Sequence, residues 1–140
     1  MADDTERSVE IERIAEHKFR ATNARGGTLT FGDGGDVDFS PVDLLLTAIA
    51  GCTALDVEYI TGKRAEPLAF RVRPRADKVR DDDGNHLTDI VVRFEVEFPK
   101  SEAGDAAREV LPSALQRSHD RLCTVSRTVE LGTPVAIDLG

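Results

Sequence analysis

Residues 40–53 read SPVDLLLTAIAGCT, and this stretch carries the strongest local signal in the chain. Ser40 suits a helix N-cap, Pro41 suits the first helical position, and the carboxylate of Asp43 complements the positive end of the helix dipole. The apolar residues that follow would cover most of the helix circumference, which is typical of a helix buried on more than one side. We therefore predict a core helix from Pro41 to Thr61, about 31 Å long.

The composition is that of a soluble globular domain. The chain has 140 residues, of which 40% are hydrophobic and 31% are charged. This length suits one domain with a sizeable core. A net charge of −8 argues against nucleic acid or an anionic membrane as a partner, because both require a clustered positive surface. We expect a single domain over residues 1–140, with residues 1–7 as a flexible polar tail.

The sequence also favours a cytoplasmic location. Residues 1–6 are acidic and polar, whereas a signal peptide would begin with basic and then apolar residues. The longest nearly apolar run, from Leu44 to Leu55, has 12 residues, fewer than the roughly 20 that span a bilayer. We therefore expect no membrane span, and we expect the two cysteines to stay reduced.

The segments on either side of the predicted helix alternate between apolar and polar residues, which indicates β-strands. Stretches rich in Asn, Asp and Gly separate them and predict turns at 23–27, 32–36 and 81–85. These turns lack the spacings that bind phosphate or calcium. The predicted strands are Val9–Ala21, Thr28–Phe31, Pro67–Val79, Leu87–Phe98 and a final strand at Pro134–Leu139.

A second helix is predicted from Ser101 to Leu122, with one buried stripe that includes Ser118. Pro112 lies inside this segment and removes one backbone donor, so we expect either a kink or two consecutive helices there. Cys123 comes at its C-terminal end. No internal repeat or linker is present in the sequence.

Cys52 and Cys123 are the two cysteines of the chain, and their role is open on composition alone. A functional pair needs one thiol near positive charge and a second within disulfide reach. The alternative is that Cys52, between Gly51 and Thr53 on an apolar helix, is a small buried hydrophobic residue, and composition favours this reading. The 71-residue separation offers no CxxC motif, so we predict no metal site.

The three histidines show no catalytic or metal-binding spacing. His17, His86 and His119 are predicted on a strand, a turn and a helix, respectively. His119 precedes Cys123 by four residues and could accept a proton from that thiol. More often, a histidine in this position is a cation favoured by the C-terminal end of the helix dipole, and we favour this interpretation.

Three motifs, taken together, resemble the OsmC/Ohr family of osmotically inducible and organic hydroperoxide resistance proteins. Residues 40–53 resemble its helix signature, in which a Pro is followed by acidic and Leu-rich residues and then by small residues ending in Gly-Cys. Residues 123–127, CTVSR, resemble its second cysteine motif, and residues 21–27, ATNARGG, resemble its arginine-containing turn. The motifs fall in the family's order, and their details look most like the YhfA-like branch.

This resemblance implies an α+β fold in which two chains intertwine as a homodimer, with antiparallel sheets wrapped around long central helices. It also implies a thiol-dependent peroxidase for organic hydroperoxides that needs no cofactor. In that scheme Cys52 is the peroxidatic thiol and Cys123 is the resolving thiol, and an external dithiol reduces their disulfide. Arg25 would stabilise the thiolate and polarise the peroxide; without the motif it reads as a solvated turn residue.

One position departs from the hydroperoxide resistance pattern, because Val42 stands where those members carry a Glu that orients the arginine. Asp43 lies nine residues before Cys52, on the opposite face of the helix, and cannot replace that Glu within one chain. Asp56, one turn after Cys52, would oppose thiolate formation if it faces the thiol. The alternative function is therefore a non-catalytic dimer that binds an apolar ligand or senses oxidants.

Overall fold

The structure, a computed structural model, describes residues 5–140 as two compact units. The first unit ends at Leu45 and the second comprises Leu46–Gly140. Each unit is built from antiparallel strands and helical residues, which confirms the predicted α+β class. The first four residues of the predicted tail lie outside the described residues, and residues 5–7 are exposed.

The first unit holds a three-stranded antiparallel sheet in the order β1-β2-β3, formed by β1 (Val9–Ala15), β2 (Lys18–Asn23) and β3 (Thr28–Gly32). A single strand over Val9–Ala21 was therefore a wrong prediction, because the chain turns at Glu16 and His17. His17 adopts a positive φ of 57° in this turn and is not a strand residue. Neither turn residue is a glycine or proline, so the sequence carries no local signal for it.

The turn between β2 and β3 forms where it was predicted. The Asn23 side chain accepts hydrogen bonds from the amides of Arg25, at 2.9 Å, and Gly27, at 3.0 Å. Gly26 has a φ of 90°, a conformation that glycine adopts without steric cost. The Asn side chain and this glycine together fix the turn that carries Arg25.

Helix α1 (Pro41–Thr61) begins and ends at the predicted residues. The Asp43 amide donates to Ser40 Oγ at 3.2 Å, and the Ser40 amide donates to Asp43 Oδ2 at 2.9 Å, so the two residues cap the helix reciprocally. Its buried residues form one stripe, whereas Leu55 and Tyr59 are 58% and 75% exposed. The predicted burial on more than one side of α1 is therefore not reached within the single chain.

By length and composition, α1 is long and apolar enough to cross a membrane, as the core helix of a soluble protein also is. The sequence-based expectation counted only the uninterrupted apolar run and missed this, because Asp56 ends that run inside the helix. This property by itself is weak evidence for a membrane span.

The second unit contains an antiparallel hairpin of β4 (Ala69–Asp81) and β5 (Gly84–Glu97). Asp81 Oδ1 accepts from the amides of Asp83, at 2.8 Å, and Gly84, at 3.1 Å, and so closes a turn of two residues. Because the turn is this short, His86 lies in β5 and not in the turn, contrary to the prediction.

The hairpin has one face that is more buried than the other, as the alternation predicted. Val92, Phe94 and Val96 are half-buried and Phe98, just beyond β5, is buried. Phe94 meets Phe70 of β4 edge-to-face with ring centroids 6.1 Å apart, a favourable geometry for aromatic pairs.

The predicted second helix is α2 (Glu102–Arg117), followed by one π-helical turn (Ser118–Leu122) and α3 (Thr124–Glu130). Pro112 lies inside α2 and does not end it. The regular α-helix instead changes to the π-helical turn at Ser118. At the start of α2, Ser101 Oγ accepts from the amide of Gly104 at 3.0 Å.

The predicted final strand is absent. Residues 133–140, all of them described, adopt neither strand nor helix, and Val135, Ile137 and Leu139 are 85%, 92% and 100% exposed. A strand needs a neighbour to satisfy its backbone donors and acceptors, and none of the described strands pairs with this segment. Alternation in sequence identifies an apolar face but does not supply that neighbour.

Candidate thiol site

The structure brings together Cys52, Asp56 and Cys123, all in the second unit. The two sulfur atoms and a carboxylate oxygen of Asp56 all lie within 4.8 Å of one another. Cys52 and Asp56 are four residues apart on α1 and so share one face of the helix. Cys123 joins them from the junction between the π-helical turn and α3. Both cysteines are free thiols.

Cys123 is fully buried and caps the N-terminus of α3 with its sulfur. Its Sγ accepts from the Ser126 amide at 3.4 Å and lies 3.2 Å from Ser126 Oγ. The thiol donates to this hydroxyl, and the hydroxyl can donate in return when the sulfur is ionised. Burial opposes that ionisation, but hydrogen bonds from Ser126 and the Thr53 side chain outweigh it and lower the pKa of Cys123.

Cys52 is half-buried, and its pKa is raised. Burial is the largest cause, and Cys123 and the charge of Asp56 add to it, while a hydrogen bond from the Val125 backbone acts in the opposite direction. Asp56 thus faces the thiol and opposes thiolate formation, as its position one turn after Cys52 predicted. In the reduced pair, the Cys52 thiol is therefore harder to ionise than the Cys123 thiol.

Ser118 fixes the carboxylate beside the thiols. Its buried hydroxyl donates to Asp56 Oδ2 at 2.8 Å, and its backbone carbonyl accepts from the Cys123 amide at 2.9 Å. The same residue therefore positions both Asp56 and Cys123. Ser118 was predicted in the buried stripe of the second helix. A polar residue in an apolar stripe was the one sequence signal that it positions other residues.

A cavity of about 620 Å³ adjoins the hydrogen-bond partners of Cys123. Thr53 and Ser126 both contact that sulfur and both line the cavity. Most of the remaining wall is apolar, which is typical of small-molecule sites. The other lining residues are Ile49, Ile90, Val92, Phe94, Pro112, Leu115, Gln116, His119, Val129 and Glu130.

His119 is engaged by two carboxylates. Its Nδ1 lies 3.0 Å from Asp120 Oδ1 and its Nε2 lies 3.3 Å from Glu130 Oε1. The hydrogen bond with Asp120 and the charge of Glu130 raise the pKa of His119 and favour its cationic form. Both ring nitrogens are therefore occupied by acidic partners, which fits the cation interpretation better than the proton-acceptor interpretation.

Arg25 and Val42 belong to the first unit, whereas the thiols belong to the second. Arg25 lies in the β2–β3 turn, where its side chain is exposed. Val42 lies in the first turn of α1. The structure thus unites two of the three predicted site residues, and the role of Arg25 stays a prediction.

The fold and the site together define an α+β protein with a close thiol pair beside an apolar cavity. A family model described as OsmC-like protein matches residues 32–138. The chain therefore belongs to the OsmC-like family, as its motifs predicted. The match does not resolve branches of the family, so the YhfA-like assignment stays a prediction.

Solved structures share this fold over most of the chain. An OsmC-like protein of unknown function from Vibrio cholerae has a TM-score of 0.73 at 15% identity, covering 90% of this chain and 94% of that one. An OsmC-like protein from Mycoplasma pneumoniae has a TM-score of 0.70 at 15% identity, with 91% and 89% covered. A putative osmotic stress induced and detoxification response protein from Psychrobacter arcticus has a TM-score of 0.61 at 12% identity, with 91% of each chain covered. A comparison with curated proteins found no match.

Proposed function

We propose that the protein is a thiol-dependent peroxidase that reduces organic hydroperoxides in oxidative stress defence. The observation that carries this proposal is a pair of free thiols within 4.8 Å of each other, next to an apolar cavity. Because disulfide sulfurs lie about 2.05 Å apart, the two sulfurs need to approach by at most about 3 Å. Rotation of the two side chains supplies movements of this size, so the pair can cycle between dithiol and disulfide.

The proposed reaction begins when the Cys52 thiolate attacks the terminal oxygen of the hydroperoxide. The O–O bond breaks, the alcohol leaves with a proton, and the Cys52 sulfur is oxidised by two electrons to a sulfenic acid. The Cys123 thiolate then attacks that sulfur, and the hydroxyl group leaves as water. An external dithiol reduces the resulting disulfide by exchange and returns both thiols.

The cavity supports a substrate with an apolar body. Its apolar wall would hold the organic group of the hydroperoxide away from water, while Thr53 and Ser126 mark the end closest to the thiols. A purely polar oxidant such as hydrogen peroxide gains nothing from such a wall. We therefore expect a preference for bulky organic hydroperoxides.

The assigned order of attack requires a cation beside Cys52. Burial and the charge of Asp56 both raise the pKa of Cys52 and so oppose its ionisation. Arg25 is the residue we assign to offset this, because a guanidinium stays charged and can donate to both sulfur and peroxide. Val42 leaves this arginine without the Glu that orients it in hydroperoxide resistance proteins.

We further propose that the protein acts as an intertwined homodimer in the cytoplasm. The uncovered apolar residues of α1, including Leu55 and Tyr59, and the exposed alternating segment at 134–139 both support a second chain as their cover. Sedimentation at micromolar concentration is expected to give a dimer. A monomer under these conditions would contradict the intertwined assembly.

The raised pKa of Cys52 and the Val42 departure favour one alternative, a non-catalytic dimer that binds an apolar ligand or senses oxidants. A steady-state assay with cumene hydroperoxide and a dithiol reductant separates the two functions. A peroxidase turns over many equivalents per chain, with hydrogen peroxide reduced more slowly. Absence of turnover in protein with both thiols intact would contradict the peroxidase and favour the alternative.

A further inference from the structure

We propose that Cys52, Asp56 and Cys123 form a binding site for a thiophilic divalent cation of the Zn²⁺ type when both thiols are reduced. This site goes beyond the peroxidase, since metal binding and peroxide turnover are separate properties that can each be present without the other. It uses the same sulfurs, so one chain cannot hold the ion and the disulfide together.

The donor atoms lie close to the spacing that such an ion requires. Sulfur and carboxylate ligands on one tetrahedral Zn²⁺ lie roughly 3.6–3.8 Å apart, given Zn–S bonds of about 2.3 Å and Zn–O bonds of about 2.1 Å. All three donor atoms lie within 4.8 Å of one another, so they need to contract by little more than about 1 Å. Two sulfurs favour Zn²⁺ over Mg²⁺ or Ca²⁺, which prefer oxygen ligands.

The charges of the three side chains also favour a cation. Fully ionised, the two thiolates and the carboxylate would place three negative charges within a few ångströms, in a site where Cys123 is fully buried. Like charges at this distance repel strongly when water is partly excluded. A divalent cation offsets most of that repulsion and allows both thiols to lose their protons.

Neighbouring groups hold the ligands in place, as they do in known metal sites. Ser118 Oγ donates to Oδ2 of Asp56 at 2.8 Å, and the Ser126 amide donates to Cys123 Sγ at 3.4 Å. Neither contact uses Oδ1, the second carboxylate oxygen of Asp56. Three protein ligands leave the fourth tetrahedral position for water or another small ligand, as in metal sites that stay open.

Oxidation is expected to release the ion. When the two thiolates form a disulfide, they lose two electrons, and an organic hydroperoxide accepts these with two protons to give an alcohol and water. The site then retains one of its three ligands. Bound Zn²⁺ would conversely protect the thiols from oxidation until the ion leaves.

The test is a titration of the reduced full chain with Co²⁺, a coloured substitute for Zn²⁺, followed by displacement with Zn²⁺ in a calorimeter. We expect one ion per chain, a sulfur-to-cobalt charge-transfer band, and loss of binding after oxidation of the pair with diamide. Asp56→Asn should weaken binding by at least about tenfold, since it removes a ligand. Asp82→Asn, in the β4–β5 turn, is the matched control and should bind as the wild type does.

Cys52→Ser and Cys123→Ser should each remove much of the charge-transfer band, with circular dichroism as the check that both variants are folded. The proposal is overturned if no saturable binding occurs, if the spectrum shows no sulfur ligation, or if folded Asp56→Asn binds as tightly as Asp82→Asn. Turnover of cumene hydroperoxide without metal binding would defeat this site and leave the peroxidase intact. Metal binding without turnover would do the reverse.

Discussion

Replacing Cys52 by serine is expected to abolish the turnover of cumene hydroperoxide and to leave the rate of the uncatalysed reaction. A serine hydroxyl has no accessible anion at neutral pH and cannot carry the two-electron oxidation that sulfur undergoes. The measurement is the steady-state rate with a dithiol reductant, on variants whose circular dichroism matches the wild type. Turnover that survives in folded Cys52→Ser would contradict the assignment of the attacking thiol.

Cys123→Ser is the matched variant, and it should fail at a different step. The first attack by Cys52 should persist, because removing Cys123 also removes a partner that raises the pKa of Cys52. Without the resolving thiol, a sulfenic acid should accumulate on Cys52, and steady-state turnover should fall by an order of magnitude or more. The two roles would be reversed if sulfenic acid were trapped on Cys123 in the Cys52→Ser variant and none were trapped on Cys52 in the Cys123→Ser variant.

Gly104→Ala is expected to cause the largest loss of stability of any glycine-to-alanine change in the chain. A Cβ at this buried position would overlap the backbone carbonyl of Pro99, which leads into α2. The free energy of unfolding should fall by about 3 kcal/mol, the upper end of the usual cost of overpacking, because neither backbone segment can move aside cheaply. In a helix without this contact, the same change would stabilise by about 0.5–1 kcal/mol.

The check is the urea midpoint of unfolding, and Ala103→Gly is the control. Ala103 is the exposed neighbour of Gly104, so this reverse change should cost at most about 1 kcal/mol. A Gly104→Ala variant as stable as the wild type would contradict a close contact between Gly104 of α2 and the Pro99 carbonyl.

Local signals explain why parts of the fold could be predicted from the sequence. The reciprocal contacts of Ser40 and Asp43 fixed the start of α1, and alternation fixed the β4–β5 hairpin. The turn at His17 and the unpaired segment at 134–139 were predicted wrongly for different reasons. The first lacks a glycine or proline signal, and the second depends on a neighbouring strand that the sequence does not identify.

The candidate site was predictable only in part, for the same physical reason. The motifs pointed to Cys52 and Cys123, and helical spacing placed Asp56 beside Cys52. The contact between Ser118 and Asp56 joins residues 62 positions apart, and the hydrogen bonds to Cys123 depend on how α3 begins. The three-ligand cluster was not predicted, because metal motifs are recognised by short spacings that this chain lacks.

The central claim, that Cys52 and Cys123 act as one redox pair, is tested most directly by titrating the reduced protein with cumene hydroperoxide. Remaining thiols are counted after one equivalent per chain, and disulfide-linked peptides are mapped by mass spectrometry. We expect both thiols to disappear together and an intrachain Cys52–Cys123 link to form. Thiols that survive this treatment, or disulfides that form only between chains, would contradict the claim.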